Sequence, residues 1–328
     1  MDGGSGRLLA RSAFAAAVIA CAGCYRVHLP STKSSTVKRA TDAGSSAASS
    51  PVIPAVEAGC SRVEQVKLMP PMQVDLLFVV DNSDSMKEEQ SALRSAFPRL
   101  MNALTSGDRD GDGVQDFPKV KDMHIGVVST DMGLPGVTGI LNCMGLGQDG
   151  LLRNQPSSEQ PGCRASYPHS LEFVADGDDP QATAADFACI ATLGTGGCGF
   201  EQPLESALKA LWPAHDPMAN PKTGANRITF LADPVTGIGA LGHGDAENGG
   251  FLRNDPVSLL GVVVLTDEDD CSASDTHVFT PPQFLDPNDP LAMQGMNLRC
   301  HYNKKALYPV ERYVNGLHAL RPGNEDLV

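Results

Sequence analysis

The sequence predicts an α/β fold, in which a mostly parallel sheet is flanked by helices. Three short apolar segments, at residues 74–80, 124–130 and 259–267, have the composition of strands buried on both faces. Segments with apolar side chains at helical spacing lie between and after them. Strands that alternate with helices predict a parallel sheet, because each helix returns the chain across one face of the sheet.

The first predicted helix follows the strand VDLLFVV of residues 74–80. Pro98 lies within this helix, and we expect it to kink or split the helix because proline removes a backbone donor. The second strand is HIGVVST, at residues 124–130, and the glycine-rich residues 131–180 predict an irregular segment. The apolar stripe of the first helix consists of Leu93, Phe97, Leu100, Met101 and Leu104.

Two more helices are predicted beyond the irregular segment. Pro203 suits the first turn of one of them. The other begins after Pro309 and ends before the RPG of residues 321–323. Between them, residues 259–267 (LLGVVVLTD) form the most apolar strand. The apolar stripe of the first of these helices consists of Leu204, Ala207, Leu208 and Leu211. The stripe of the second consists of Val310, Tyr313, Val314, Leu317 and Leu320.

The N-terminus has the pattern of an export signal. Arg7 and Arg11 precede an apolar segment, residues 12–23, that is too short to span a bilayer. It ends in VIACAGC, which resembles a bacterial lipobox. We therefore expect residues 1–23 to be a lipoprotein signal peptide with lipidation at Cys24; Cys21 is the alternative residue, and an ordinary secretory signal is the alternative interpretation.

The segments after the signal indicate a tethered domain. Residues 24–59 are rich in Ser, Thr and Ala and predict a flexible tether, and residues 60–328 form the domain. Neither candidate lipidation cysteine is followed by Asp, so we expect an anchor in the outer membrane of a bacterium with two membranes. More than one acyl chain would make that anchor stable. The net charge of −14 and an aromatic content of 5% argue against nucleic acid as a partner.

Seven cysteines follow the signal, and in an oxidising compartment they predict disulfides. Pairing between sequence neighbours gives Cys143–Cys163, Cys189–Cys198 and Cys271–Cys300, which leaves Cys60 without a partner. Spacing alone does not fix this connectivity.

Polar side chains follow two of the predicted strands where each one ends. Asp81 and Asp267 should meet at one edge of the sheet, because each follows the carboxyl end of a strand and the strands are predicted to be parallel. This is the edge at which α/β sheets bind ligands. Asp81, Ser83 and Ser85 offer three oxygen ligands of the kind that Mg²⁺ prefers. The alternative is that Ser83 or Ser85 caps the following helix, with an acidic residue behind it.

The segments VDLLFVVDNSDSM and VVVLTD together resemble the von Willebrand factor A (VWA) domain and its metal-ion-dependent adhesion site (MIDAS), over residues 74–328. The wider pattern is similar to exported VWA lipoproteins of myxobacteria. The resemblance implies a Rossmann-like sheet and a site for Mg²⁺ or Mn²⁺ at Asp81, Ser83, Ser85, Asp267 and a threonine of a second loop. We expect Thr195 in that place, with Glu201 as the alternative.

The same resemblance implies that the domain is incomplete at its C-terminus. The chain stops where the family would enter another strand, so one or two strands are expected to be missing, and with them a partner for Cys60.

A second cation site is predicted at residues 107–117, GDRDGDGVQDF. The spacing matches positions one, three, five and nine of a calcium loop, with Gly113 at position six. Position twelve is Lys119, so a further ligand would come from elsewhere, such as Asp122, or be absent. A solvated acidic turn is the alternative. The expected Ca²⁺ ligands are Asp108, Asp110, Asp112, Asp116 and the carbonyl of Val114.

These patterns favour a non-enzymatic module of the cell envelope whose metal grips an acidic side chain of a partner protein. One alternative is a phosphohydrolase of the haloacid dehalogenase type, with Asp81 as nucleophile. That class needs a second Asp where this chain has Ser83. The other alternative is a purely structural envelope lipoprotein.

Overall fold

The structure is a computed structural model that describes residues 73–158, 160–253 and 258–328. The predicted signal peptide, the tether and Cys21, Cys24 and Cys60 lie outside these residues. Within the described part, an open four-stranded sheet with helices gives the predicted α/β class.

The sheet has the strand order β3-β2-β1-β4. Its strands are β1 (Gln73–Val80), β2 (Asp122–Ser129), β3 (Leu171–Val174) and β4 (Ser258–Leu265). The central strand β1 pairs in parallel with both β2 and β4, as predicted. The short β3 pairs antiparallel with β2, so the sheet is mixed.

Five α-helices accompany the sheet in the described residues: α1 (Lys87–Ser106), α2 (Pro180–Ala191), α3 (Pro203–Leu211), α4 (Arg299–Tyr302) and α5 (Val310–Ala319). Of the two effects expected at Pro98, a kink or a split, the split is wrong, because α1 is continuous through it. Phe97 and Met101 are both buried in the core on either side of Pro98, and this packing outweighs the lost hydrogen bond.

The prediction of an irregular segment over residues 131–180 missed β3 and the start of α2. β3 has only four residues, with buried and exposed side chains in alternation. α2 consists largely of small residues, and its N-cap Asp179 accepts a hydrogen bond from the Gln181 N–H.

The sheet is covered on both faces. On one face Phe78 of β1 packs against Phe97 of α1 and Phe187 of α2, whose ring centroids lie 3.6 Å apart. On the other face Leu77 and Val79 pack with α3. The alternation of buried side chains along β1 therefore separates an α1–α2 face from an α3 face.

Among the residues that the structure describes, no helix has both the length and the apolar character needed to cross a membrane.

Three disulfides lie in the described residues, and two of the predicted pairings are wrong. Cys271–Cys300 is present as predicted, but the other bonds are Cys143–Cys198 and Cys163–Cys189. Cys189 lies on the buried side of α2, beside Cys163. Cys143 and Cys198 lie in a separate apolar cluster with Cys271. Neighbours in sequence therefore pack into different cores.

Peptide mapping under non-reducing conditions checks this connectivity. We expect linked peptides containing Cys143 with Cys198, and Cys163 with Cys189, because each pair is packed in one core. A reduced and alkylated digest is the control. A peptide that links Cys143 to Cys163 would contradict the structure.

A buried ion pair joins α3 to α5. Arg312 donates from Nε and Nη2 to the Glu205 carboxylate at 3.1 and 2.8 Å, and the Tyr313 hydroxyl donates to the same carboxylate at 3.0 Å. Burial raises the pKa of Glu205, while the hydrogen bonds and charge of Arg312 oppose the rise. The charged form of the buried Glu205 carboxylate thus depends on Arg312.

Replacement of Arg312 should therefore destabilise the domain. We expect Arg312→Met to lower the free energy of unfolding by about 3–5 kcal/mol, because it leaves a buried carboxylate without its cation. Urea unfolding measures this change. Arg99→Met, at an exposed position of α1, is the matched control. Equal stability of the two variants would show that the pair contributes nothing.

Candidate metal centre

The candidate centre lies at the carboxyl edge, which we define as the ends of β1, β2 and β4 with three adjoining loops. The first loop is residues 81–86, the second is residues 192–202 and the third is residues 266–271. Strand pairing continues one residue into this edge: the Asp81 N–H donates to the Leu265 carbonyl at 2.9 Å, and the Thr130 N–H donates to the Val80 carbonyl at 3.2 Å.

The buried carboxylate of Asp81 joins the first loop to the third. Its Oδ1 accepts a hydrogen bond from the Ser83 N–H at 2.7 Å. Its Oδ2 accepts one from the Thr266 hydroxyl at 2.6 Å. Thr266 was not predicted as a site residue, although it belongs to the LTD motif that contains Asp267.

The two serines connect to the third loop as well. Ser83 Oγ and Ser85 Oγ lie 3.4 Å apart, and Ser85 Oγ donates to Asp267 Oδ1 at 3.2 Å. The structure thus brings together Asp81, Ser83, Ser85 and Asp267. The alternative interpretation as a helix cap is wrong, because the N-cap of α1 is Met86 and no side chain caps it.

The second loop is tied to the first by hydrogen bonds. Gln90 of α1 donates to the carbonyls of Asp81 and Gly194 and accepts from the Leu193 N–H, at 2.8–2.9 Å. The Gly197 N–H donates to the Asn82 carbonyl at 2.8 Å. Thr195 is half-buried, and its hydroxyl makes no hydrogen bond with any described residue.

Glu201, the alternative to Thr195, is a buried acid with one carboxylate oxygen that lacks a hydrogen-bond partner. Its side chain is 3% exposed, and its Oε1 has no partner among the described residues. Burial raises the pKa of Glu201 to about 7, and the negative charges of Asp81, Glu268 and Asp267 act in the same direction. The carboxylate therefore lies within the electrostatic reach of the edge acids.

A second unmet polar atom lies at the same edge. Thr130 follows β2 directly and is fully buried, and its Oγ1 has no partner among the described residues. Thr130 was not among the site residues predicted from the sequence. Its position at the end of the predicted strand HIGVVST could have identified it, because Asp81 occupies the matching position after the strand VDLLFVV.

Two disulfides fix the loops that contribute to this edge. Cys198, in the second loop, is bonded to Cys143, and Cys271, at the end of the third loop, is bonded to Cys300. The Cys271 N–H donates to the Glu201 carbonyl at 2.8 Å. The second and third loops are therefore held against each other.

The other acids of the third loop differ in environment. Burial raises the pKa of Glu268, with further contributions from Asp267 and Asp81. Asp270 is held by neighbouring groups: its Oδ1 accepts from the Leu204 N–H at 3.1 Å, in the first turn of α3, and from the Ser272 hydroxyl at 2.8 Å.

The acidic loop at residues 107–117 lies elsewhere, between α1 and β2. Asp108 accepts hydrogen bonds from the N–H groups of Gly111 and Gly113 at 2.7 and 2.8 Å, and these bonds lower its pKa. Gly113 has a φ of +89°, which suits the sharp turn of a calcium loop. Asp122 does not serve this loop, because its carboxylate pairs with Arg253.

In the described part of the chain, one set of three acidic, His or Cys side chains has ligand atoms within 4.8 Å of one another: Asp108, Asp110 and Asp116. This set could hold a metal ion. Asp112 stands outside the set, and its Oδ1 accepts from the Val114 N–H at 2.7 Å. The carboxylates of the carboxyl edge are spread more widely and alternate with hydroxyl groups.

No protein-family model matches this chain, and the searches of curated proteins and of solved structures found no similar protein. Function is therefore inferred from the geometry of the carboxyl edge and of the acidic loop.

Proposed function

We propose that residues 74–328 form a VWA-like domain that binds Mg²⁺ or Mn²⁺ at the carboxyl edge and, through the metal, an acidic side chain of a partner protein. The observation that supports this proposal is the hydrogen-bonded set of Asp81, Ser83, Ser85 and Asp267, which come from the ends of two adjacent strands.

The chemistry of this set suits a hard divalent cation. Carboxylate and hydroxyl oxygens are ligands of Mg²⁺, which also retains several waters. Hydroxyl ligands are neutral, so they leave positive charge on the metal. One of its waters can then be replaced by the carboxylate of a partner. Asp81 acts as a ligand in this proposal, and the protein is not an enzyme.

The proposed location in the cell is inferred from the sequence. Lipidation at Cys24, or at Cys21, would anchor the domain to the outer membrane through the tether of residues 24–59. The supporting observation is the short apolar segment that ends in VIACAGC.

Removal of Asp81 should abolish metal binding without unfolding the domain. Calorimetric titration with MnCl₂ should show a binding event in the wild type that is absent from Asp81→Ala, because Asp81 is the buried carboxylate of the set. Any binding at the acidic loop is common to both proteins. Asp84→Ala is the matched control, since Asp84 is an exposed Asp of the same loop. Equal Mn²⁺ binding by Asp81→Ala and wild type would refute the metal centre.

The same variants separate binding from catalysis. Immobilised wild type and Asp84→Ala should retain a protein from an outer-membrane fraction in Mg²⁺ and release it in EDTA, whereas Asp81→Ala should retain none. We expect no hydrolysis of p-nitrophenyl phosphate with Mg²⁺. Hydrolysis that is lost in Asp81→Asn would favour the phosphohydrolase instead.

We also propose that the acidic loop binds Ca²⁺. The supporting observation is the convergence of Asp108, Asp110 and Asp116, whose like charges repel one another unless a cation compensates them.

Calcium should therefore raise the thermal midpoint, because a ligand that binds only the folded state stabilises it. We expect Asp110→Asn to remove most of this rise, as it deletes one charge of the cluster. Asp112→Asn is the control outside the cluster and should retain more of the rise. No Ca²⁺ effect on the wild type in differential scanning calorimetry would identify the loop as an acidic turn.

A further inference from the structure

Two buried polar atoms at the carboxyl edge, Thr130 Oγ1 and Glu201 Oε1, have no hydrogen-bond partner among the described residues. Such atoms are rare in folded proteins, because an unpaired buried polar group costs about 1–3 kcal/mol. Both lie beside Asp81, so a cation bound there could supply the partner that each atom lacks.

Strand register places Thr130 next to Asp81. Val80 lies opposite Ser129 in the parallel pairing of β1 with β2, and the pairing continues to the next residue of each strand. Side chains alternate between faces along a strand. Asp81 therefore shares the α3 face with Val79, and Thr130 shares it with Val128; both valines belong to the core formed with α3.

Glu201 approaches the same place from the start of α3. The next residue, Gln202, donates its N–H to the Thr130 carbonyl at 3.0 Å. The Glu201 carbonyl accepts from the Cys271 N–H at 2.8 Å, so the disulfide-bonded third loop holds the backbone of Glu201.

Thr195 approaches from the other side. It lies between the end of α2 and Gly197, and its neighbour Gly194 accepts a hydrogen bond from Gln90 of α1. α1 and α2 cover the opposite face of the sheet from α3. Thr195 is also only half-buried, so its free hydroxyl can be hydrated and needs no metal.

We propose that Thr130 and Glu201, rather than Thr195, complete the cation site formed by Asp81, Ser83 and Ser85. This inference rests on the metal-binding function proposed above. The Thr130 hydroxyl and the Glu201 carboxylate each bind the cation or a water of its coordination shell. The added carboxylate strengthens cation binding and reduces the positive charge that remains for a partner's carboxylate.

The test compares near-isosteric variants by calorimetric titration with MnCl₂. We expect Glu201→Gln and Thr130→Val each to weaken Mn²⁺ binding by roughly tenfold to a hundredfold, the range found for residues that support metal ligands. Thr195→Val should bind Mn²⁺ as the wild type does. Near-ultraviolet circular dichroism without metal establishes that each variant is folded.

Thermal melting with and without MnCl₂ supplies a second readout. The rise in thermal midpoint caused by Mn²⁺ should shrink in Glu201→Gln and Thr130→Val and persist in Thr195→Val. A purely structural role would lower the midpoint equally in both conditions, and would overturn the inference.

The outcomes distinguish the two proposals. If the wild type binds no Mn²⁺, the proposed function fails and this inference fails with it. If Mn²⁺ binding requires Asp81 but tolerates both Glu201→Gln and Thr130→Val, only the inference is overturned. Loss of Mn²⁺ binding in Thr195→Val alone would instead support Thr195 as the ligand from the second loop, as the family resemblance implies.

Discussion

The parallel pairing of β1 with both of its neighbours is the constraint on which the candidate metal centre depends. Val80 lies opposite Ser129 of β2 and Leu265 of β4. The next residue of each strand therefore brings Asp81, Thr130 and Thr266 side by side. A slip of one residue would turn these side chains to the other face. The slip is prevented because it would exchange the residues of the two apolar cores, which differ in size and partners.

The acidic groups at this edge are compensated unequally. Asp81 accepts from the Ser83 N–H and the Thr266 hydroxyl, and Asp270 accepts from Leu204 and Ser272. Glu201 is the exception, because its Oε1 is buried without a partner. In a chain with a net charge of −14, an acidic partner without a metal would worsen this imbalance. A cation is the kind of ligand that corrects it.

The sequence was most informative where a local pattern determines the structure. The continuous apolar segments predicted β1, β2 and β4, and the rule for strand ends predicted that Asp81 and Asp267 lie at one edge. It was least informative where distant packing decides. β3 is too short for a periodic signal, and the small residues of α2 have no clear stripe. The pairing of Cys143 with Cys198 depends on a cluster assembled from distant segments.

The two candidate cation sites differ in how the chain builds them, and this difference determines what a bound cation can do. The acidic loop forms from nine consecutive residues, 108–116, held by hydrogen bonds between its own carboxylates and its own backbone. The carboxyl edge joins residues as distant as Asp81 and Thr266, 185 positions apart.

An unfolded chain cannot keep those distant ligands together, so a cation at the carboxyl edge discriminates strongly between the folded and unfolded states. Its binding energy is thus linked to the stability of the whole sheet. A cation in the acidic loop acts on a segment that is already ordered by local bonds, and it stabilises chiefly the connection between α1 and β2. For this reason we expect metal binding to be coupled to the integrity of the fold more strongly at the edge centre than at the acidic loop.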